Sequence, residues 1–223
     1  MRPRCRRIYV KMNILVLKPV RERIDYALFC PGCREPSNRG SVPGPERVSE
    51  KPELAENLRS LAPELVKPGE GERAIAVRVR CGGGFTGPVL ADRRTIDRLR
   101  KSVPENPYHL PATLRVLDAC REAFPGTTVV AAFEDAFFAE MPERESTYAL
   151  DRDGGMGEGE RRRGYHGLFH GAACRKVHRE AEYCPGDAPR RMASVCLEPN
   201  PEVAAVVGHR PVMVTGGATP VEG

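Results

Sequence analysis

The sequence predicts an α/β fold. Three observations carry this: β-branched apolar runs recur, leucines fall at helical spacing in other stretches, and the two kinds of stretch alternate along the chain. The run RIYVKMNILVL (7–17) is apolar and β-rich, and IDYALF (24–29) reads as its hairpin or meander partner. Residues 31–53, rich in Pro, Gly and Ser, read as loop. PELAENLRSLAPELV (52–66) places Leu54, Leu58, Leu61 and Leu65 on one helical face. RAIAVRVR (73–80) alternates as a strand does and runs into the Gly turn CGGGF. TIDRLRKS (95–102) is a short helix. LPATLRVLDACREAF (110–124) puts Leu110, Leu114, Leu117 and Phe124 on one face, and PGTTVVAAF (125–133) supplies a strand. Residues 151–160, DRDGGMGEGE, read as a flexible acidic loop. A helix is expected from His166 to about Glu182, with Gly167 and Gly171 weakening its start. The stretch from Ala193 to Gly223 reads as three short strands with turns. No internal repeat is visible.

Composition narrows the function. The chain of 223 residues suffices for one large domain or two small ones. Its net charge of +5 is mild. The two basic clusters, Arg2–Arg7 and Arg161–Arg163, have no aromatic residues between their arginines, so they read as solvated surface and no nucleic-acid partner is expected. No run is long enough to cross a bilayer, so no membrane partner is expected. The basic start precedes only a short apolar stretch, without a small-residue cleavage site, and does not read as a signal peptide. The eight cysteines then read as reduced thiols of a cytoplasmic protein.

Two constellations attract chemical interest. CPGC (Cys30–Cys33) has the spacing of a redox pair or half a zinc site, but no helix follows it and no second CxxC exists; a turn holding two thiols is the simpler reading. His166, His170, Cys174 and His178 form one helical stripe. The stripe spans roughly 18 Å, too long for one metal ion, and no HExxH pattern supports it, so no metal ligand is assigned. CGGGF lacks the spacing of a nucleotide-binding loop.

Longer stretches resemble one family. GGGFTGPVL is similar to an HGGxxFTxxVLI motif and ENPYHL to HNPxNL. VVAAFEDAFFAEMPERESTYAL is similar to AVFDTAFHxTMPExAYxYAL, RRRGYHGLFH to RRYGFHGTSH, and GATPVEG to GFTPLEG. These motifs, in this order from Met12 to Gly223, resemble the first half of the acetate kinase (acetate and propionate kinase) family. The resemblance implies an actin-like, ribonuclease-H-like ATPase fold. It implies a basic extension at 1–11, an N-terminal domain at 12–150, and the truncated start of a second domain at 151–223. It also implies a homo-oligomer or a partner chain covering a bare domain interface.

The same resemblance implies ATP-dependent phosphorylation of acetate, or a similar short-chain carboxylate, to an acyl phosphate, with Mg2+ as cofactor. His166 then stands where the family's imidazole holds the phosphoryl group in transit, and Glu134 where its catalytic Asp stands. The family's arginine falls on Val77; Arg78, one place along, is the substrate-binding candidate, although adjacent strand residues face opposite sides. The family's phosphate- and magnesium-gripping hairpin NxGSSSxK is replaced by KPVRERID, with Lys18 for the Asn, Val20 for the Gly, Arg21 and Arg23 for serines and Asp25 for the Lys. Its HLGNG loop has become Cys196 and LEPNP. The alternative expectation is therefore a catalytically inactive family member, a pseudo-enzyme acting as a binding module.

Overall fold

A computed structural model describes residues 12–48, 50–61, 72–148, 161–181, 191–198 and 200–216. They form two compact units. One holds the described residues up to Val79 together with Val89–Ala132; the other holds Arg80–Pro88 and the described residues from Phe133 onward. The sequence-based division at 150/151, the extension at 1–11 and the acidic stretch 151–160 lie outside the described residues.

The first unit is built on a six-stranded sheet in the order β3-β2-β1-β4-β6-β5. Its strands are β1 Met12–Pro19, β2 Arg23–Phe29, β3 Asn38–Pro43, β4 Glu72–Val79, β5 Val89–Leu90 and β6 Thr128–Phe133. The expected hairpin forms: β1 and β2 are antiparallel, with Leu17 opposite Tyr26. β4 then adds parallel to β1, with Leu15 opposite Ile75. The period-2 pattern of β1 buries Asn13, Leu15 and Leu17 on one face.

Among the described residues of this unit three helices form: α1 Lys51–Arg59, α2 Arg93–Lys101 and α3 Leu110–Ala123. Leu54 and Leu58 of α1 and Leu110 and Leu117 of α3 are buried, as their spacing predicts, and Ile96 and Leu99 of α2 are buried with them. Leu61 is buried too, while Leu65 lies outside the described residues. The Asp92 side chain accepts from Thr95 N at 2.8 Å and starts α2.

One expectation fails in this unit. Residues 31–53 are not all loop, because β3 pairs with β2 through Ser41 opposite Asp25 and Val42 opposite Ile24. Its sequence, NRGSVP, lacks alternation because it is an edge strand, recruited by backbone hydrogen bonds and burying almost nothing. CPGC is a turn closed by Cys33 N to Cys30 O at 3.1 Å, with Gly32 at φ 76°. Both thiols are free.

The second unit contains a 3-10 helix Asp135–Glu140, the single turn α4 Glu143–Ser146, the helix α5 Gly167–Ala181, and an antiparallel sheet of β7 Arg191–Cys196, β8 Glu202–Val207 and β9 Arg210–Val214. These are the three short strands expected after Ala193. Phe138, Met141, Cys174, Ala204, Val206 and Val214 form its core, with Phe137 and Met192 packed against them. Among the described residues no helix is long and apolar enough to cross a membrane.

Candidate active site

The turn leading into α5 is the chemical centre of the second unit. A helix begins with N–H groups that have no intrahelical partner, and its N-terminus attracts negative charge. Two buried glutamates meet that need here. Glu134, which follows β6, accepts from Leu168 N through Oε2 at 2.8 Å. Glu202, the first residue of β8, accepts from Tyr165 N through Oε2 at 2.7 Å and from His166 N through Oε1 at 3.0 Å. Glu134 is 5% exposed and Glu202 1%. Gly167 is required at this junction, since a Cβ there would overlap the Glu134 carbonyl oxygen.

Glu202 also carries His170. The carboxylate can only accept, so His170 donates to it from Nε2 at 3.1 Å. In the neutral ring Nδ1 then accepts from the Ser194 hydroxyl at 2.7 Å. Serine, histidine and glutamate in a chain invite comparison with a hydrolase triad. His170 has no exposed surface and Ser194 is buried, so no substrate can reach the hydroxyl. The chain of bonds instead ties α5 to β7 and β8.

His166 is buried at 8% exposure, with Nδ1 3.4 Å from Glu202 Oε1 but not aligned for a hydrogen bond. The rest of the stripe has other tasks. Cys174 lies in the core, and His178 donates from Nδ1 to the Cys174 carbonyl at 2.8 Å while its ring lies tilted against that of His209, with centres 3.9 Å apart. Arg80 lies over the Tyr165 ring, 5.5 Å from its centre.

Burial alone pushes the Glu202 carboxyl up; the His170 bond and the Tyr165 and His166 amides overcome this and hold it below its ordinary value. Asp135 goes the other way. Burial pushes it up, and Arg163 with the amides of Gly82 and of Asp135 itself only partly offsets the effect. Its Oδ2 receives Arg163 Nη1 at 3.3 Å and Gly82 N at 3.4 Å, both long contacts.

Asp135, Arg161, Arg162 and Arg163 line a pocket of about 240 Å3 together with Phe85, Phe138 and Ser146. Arg161 and Arg163 are exposed, as a solvated surface implies, but Arg163 also reaches the buried Asp135. A charge run says nothing about the buried carboxylate that the fold sets against it, 28 residues away in sequence. Neither His166 nor Glu134 lines this pocket. Sequence reasoning also missed Glu202 and Ser194. A glutamate opening the apolar strand EVAAVV was the available signal, because a charged residue there needs a buried partner.

Arg78 is half-buried in β4 of the first unit, beside a fully buried Val77. In the same unit the β1–β2 hairpin closes its own charges. Arg21 pairs with Glu46 at 2.6 Å, Arg47 with Glu22 at 3.4 Å, and Arg23 with Asp25 at 2.7 Å. Both hairpin arginines are held above their ordinary pKa, chiefly by these side-chain hydrogen bonds. Arg115 donates to the carbonyls of Pro45 and Val48 and fixes the loop that supplies Glu46 and Arg47.

The model of the acetokinase family matches residues 47–223. The acetate kinase of Deinococcus radiodurans is 35% identical over 172 residues, covering 76% of this chain and 42% of that protein. That of Deinococcus deserti is 32% identical over 214 residues, covering 95% and 52%. Among solved structures, the acetate kinase of Porphyromonas gingivalis superposes with a TM-score of 0.74 at 24% identity, over 95% of this chain and 59% of that one. A propionate kinase from Francisella tularensis gives 0.72 at 20% identity, over 94% and 58%. The fold is the actin-like ATPase fold of these enzymes. The chain spans about half the length of the curated relatives it matches.

Proposed function

The chain belongs to the acetokinase family, and from that premise we propose that it is an acetate-kinase-type unit whose phosphoryl-transfer residues now serve the fold, so that by itself it does not turn over. The reaction in question is transfer of phosphate from ATP to acetate or a similar short-chain carboxylate. Such a transfer involves little covalent chemistry and depends on positioned positive charge around the moving phosphoryl group.

The β1–β2 hairpin carries this reading. On the resemblance it is the phosphate and magnesium grip, and here its two guanidiniums are engaged with Glu46 and Asp25. Each is engaged through Nε, so a phosphate here would meet an acidic neighbour at both guanidiniums. The hairpin does not fit a magnesium ion, because Glu22, Asp25 and Glu46 are all paired with arginines and the residues added are cationic. Val77, where the resemblance places an arginine, adds to the deficit. One positioned arginine is worth roughly 10³–10⁵ in rate in phosphoryl transfer. Glu134, in the place of the catalytic carboxylate, spends one oxygen on capping α5.

A working transferase is the second reading, favoured by His166, which keeps its place at the start of α5. Acetyl phosphate formation by the purified chain with ATP, magnesium and acetate separates the two, beside a His166→Ala control. The expected result is no turnover above that control. Turnover that disappears in the variant would establish the transferase and overturn the proposal.

A further inference from the structure

The CPGC turn takes no part in phosphoryl transfer, yet its geometry is specific. Cys33 N donates to Cys30 O at 3.1 Å, and Gly32 has φ 76°. Proline fixes φ at the first central position of a β-turn, and glycine takes the positive φ at the second, so Pro31–Gly32 selects a type II turn. Such a turn holds the Cα atoms of its two end residues within about 7 Å, and a disulfide spans roughly 4.4–6.8 Å between them. The backbone thus brings Cys30 and Cys33 into range before either is oxidised.

Access and surroundings fit as well. Cys33 is exposed and Cys30 half-buried. Cys30 Sγ donates to Ser37 Oγ at 3.4 Å, and Ser37 Oγ donates on to Leu28 O at 3.2 Å. Forming a disulfide gives up only the weak S–H contact. The bond from Ser37 N to Leu28 O, at 2.8 Å, and the pairing of Leu28 with Asn38 do not depend on it, so β2 and β3 keep their register. The other described thiols are less available. Cys120, Cys174 and Cys196 are buried and Cys81 is half-buried. Burial pushes the Cys120 thiol up to about 12 and raises that of Cys174, and it is the thiolate that reacts.

We propose that Cys30 and Cys33 are a reversible modification site, closing to a disulfide by exchange with a low-molecular-weight disulfide. Cys33, as thiolate, attacks one sulfur of the reagent; a mixed disulfide forms and one thiolate leaves. Cys30, as thiolate, then attacks the Cys33 sulfur and expels the second thiolate. The two protons lost by the cysteines pass through water to the two leaving thiolates. One disulfide is reduced and one is formed, so no further oxidant is needed. The site is independent of the acetate-kinase-type reading, since it lies at the end of β2 remote from Arg23 and the β1–β2 turn.

The whole chain in mixtures of oxidised and reduced glutathione tests it, with acid quenching, alkylation and mass spectrometry of tryptic peptides. Trypsin cuts after Arg23 and Arg34, so both thiols fall in one peptide, residues 24–34, with no other cysteine. That peptide is expected two hydrogens lighter, ahead of change at Cys81, and restored by excess reduced glutathione. Cys30→Ser should stop at the mixed disulfide on Cys33, since the second attacking thiol is gone. Gly32→Ala meets no atom within 4 Å and strains only φ, so it loosens the turn without a clash. It should shift the ratio of closed to mixed disulfide toward the mixed form by roughly fivefold or more, the cost of a left-handed alanine. A wild-type chain that stops at the mixed disulfide, or leaves residues 24–34 unmodified, overturns the proposal. So does an unchanged ratio in Gly32→Ala, which would show that the turn sets nothing.

Discussion

Glu202 and Asp135 are both buried carboxylates, yet the fold shifts their pKa values in opposite directions. The difference lies in donors. Glu202 takes three N–H bonds of 2.7–3.1 Å, whereas Asp135 takes two contacts of 3.3 and 3.4 Å and leaves one oxygen bare. Burial therefore loses at Glu202 and wins at Asp135. Glu202 has a lower pKa folded than unfolded. Its stabilisation is fully present above its ordinary value of 4.5 and is lost as pH falls through the folded value. Glu202→Gln, which neither titrates nor accepts at both ends, should cost roughly 1–3 kcal/mol at pH 7. Urea denaturation of both proteins between pH 7 and pH 3 should show this gap closing as acid is added; a constant gap would mean that the charge of Glu202 contributes nothing. None of this was legible from Glu202 itself, because its partners lie 32 to 37 residues away in sequence. The motif around His166 singled it out, but the Glu202 carboxylate that accepts from its backbone N–H was not legible there.

At the scale of elements, periodicity served well where one face is buried and failed where backbone pairing alone decides. The leucines of α1 and α3 announced themselves, while β3, polar and at a sheet edge, did not. The start of α5 is a third case. Its two glycines read as weaknesses, since Gly in a helix costs about 1 kcal/mol relative to Ala. The packing explains the first of them: Gly167 lets the helix approach so closely that the Glu134 carbonyl fills the space of a side chain. Gly167→Ala should therefore destabilise the protein by about 1 kcal/mol or more, against the sign of helix propensity. Gly171→Ala is the control. There a Cβ would meet Arg175 Nη1 at 3.2 Å and the Phe137 ring at 3.3 Å, contacts that a movable side chain can relieve in part. Thermal melts of the two variants should rank Gly167→Ala well below Gly171→Ala. An equal or reversed order would show that the close approach carries no energy.

For the molecule as a whole, the alternation of strands and helices pointed to the fold class, and the ordered motifs pointed to the family fold that the superpositions bear out. Activity is a different kind of property, since residues that act together in catalysis are strongly non-additive. On the proposed reading, the groups that phosphoryl transfer needs have been altered at separate places: the hairpin and Val77 in charge, and Glu134 in reach. Restoring one of them should restore nothing. Val77 makes the point sharply, because it is fully buried on β4 with the hydrophobic core of its unit around it. Arginine at that position enters a site that has since been packed with apolar side chains, and an unpaired buried charge costs about 3 kcal/mol or more. Val77→Arg should thus lower the melting temperature and leave acetyl phosphate formation at the level of the His166→Ala control. A folded Val77→Arg chain that made acetyl phosphate would show that the hairpin and Glu134 are still competent. The loss would then rest on one residue, and the structural use of the others would not be what silences the chain.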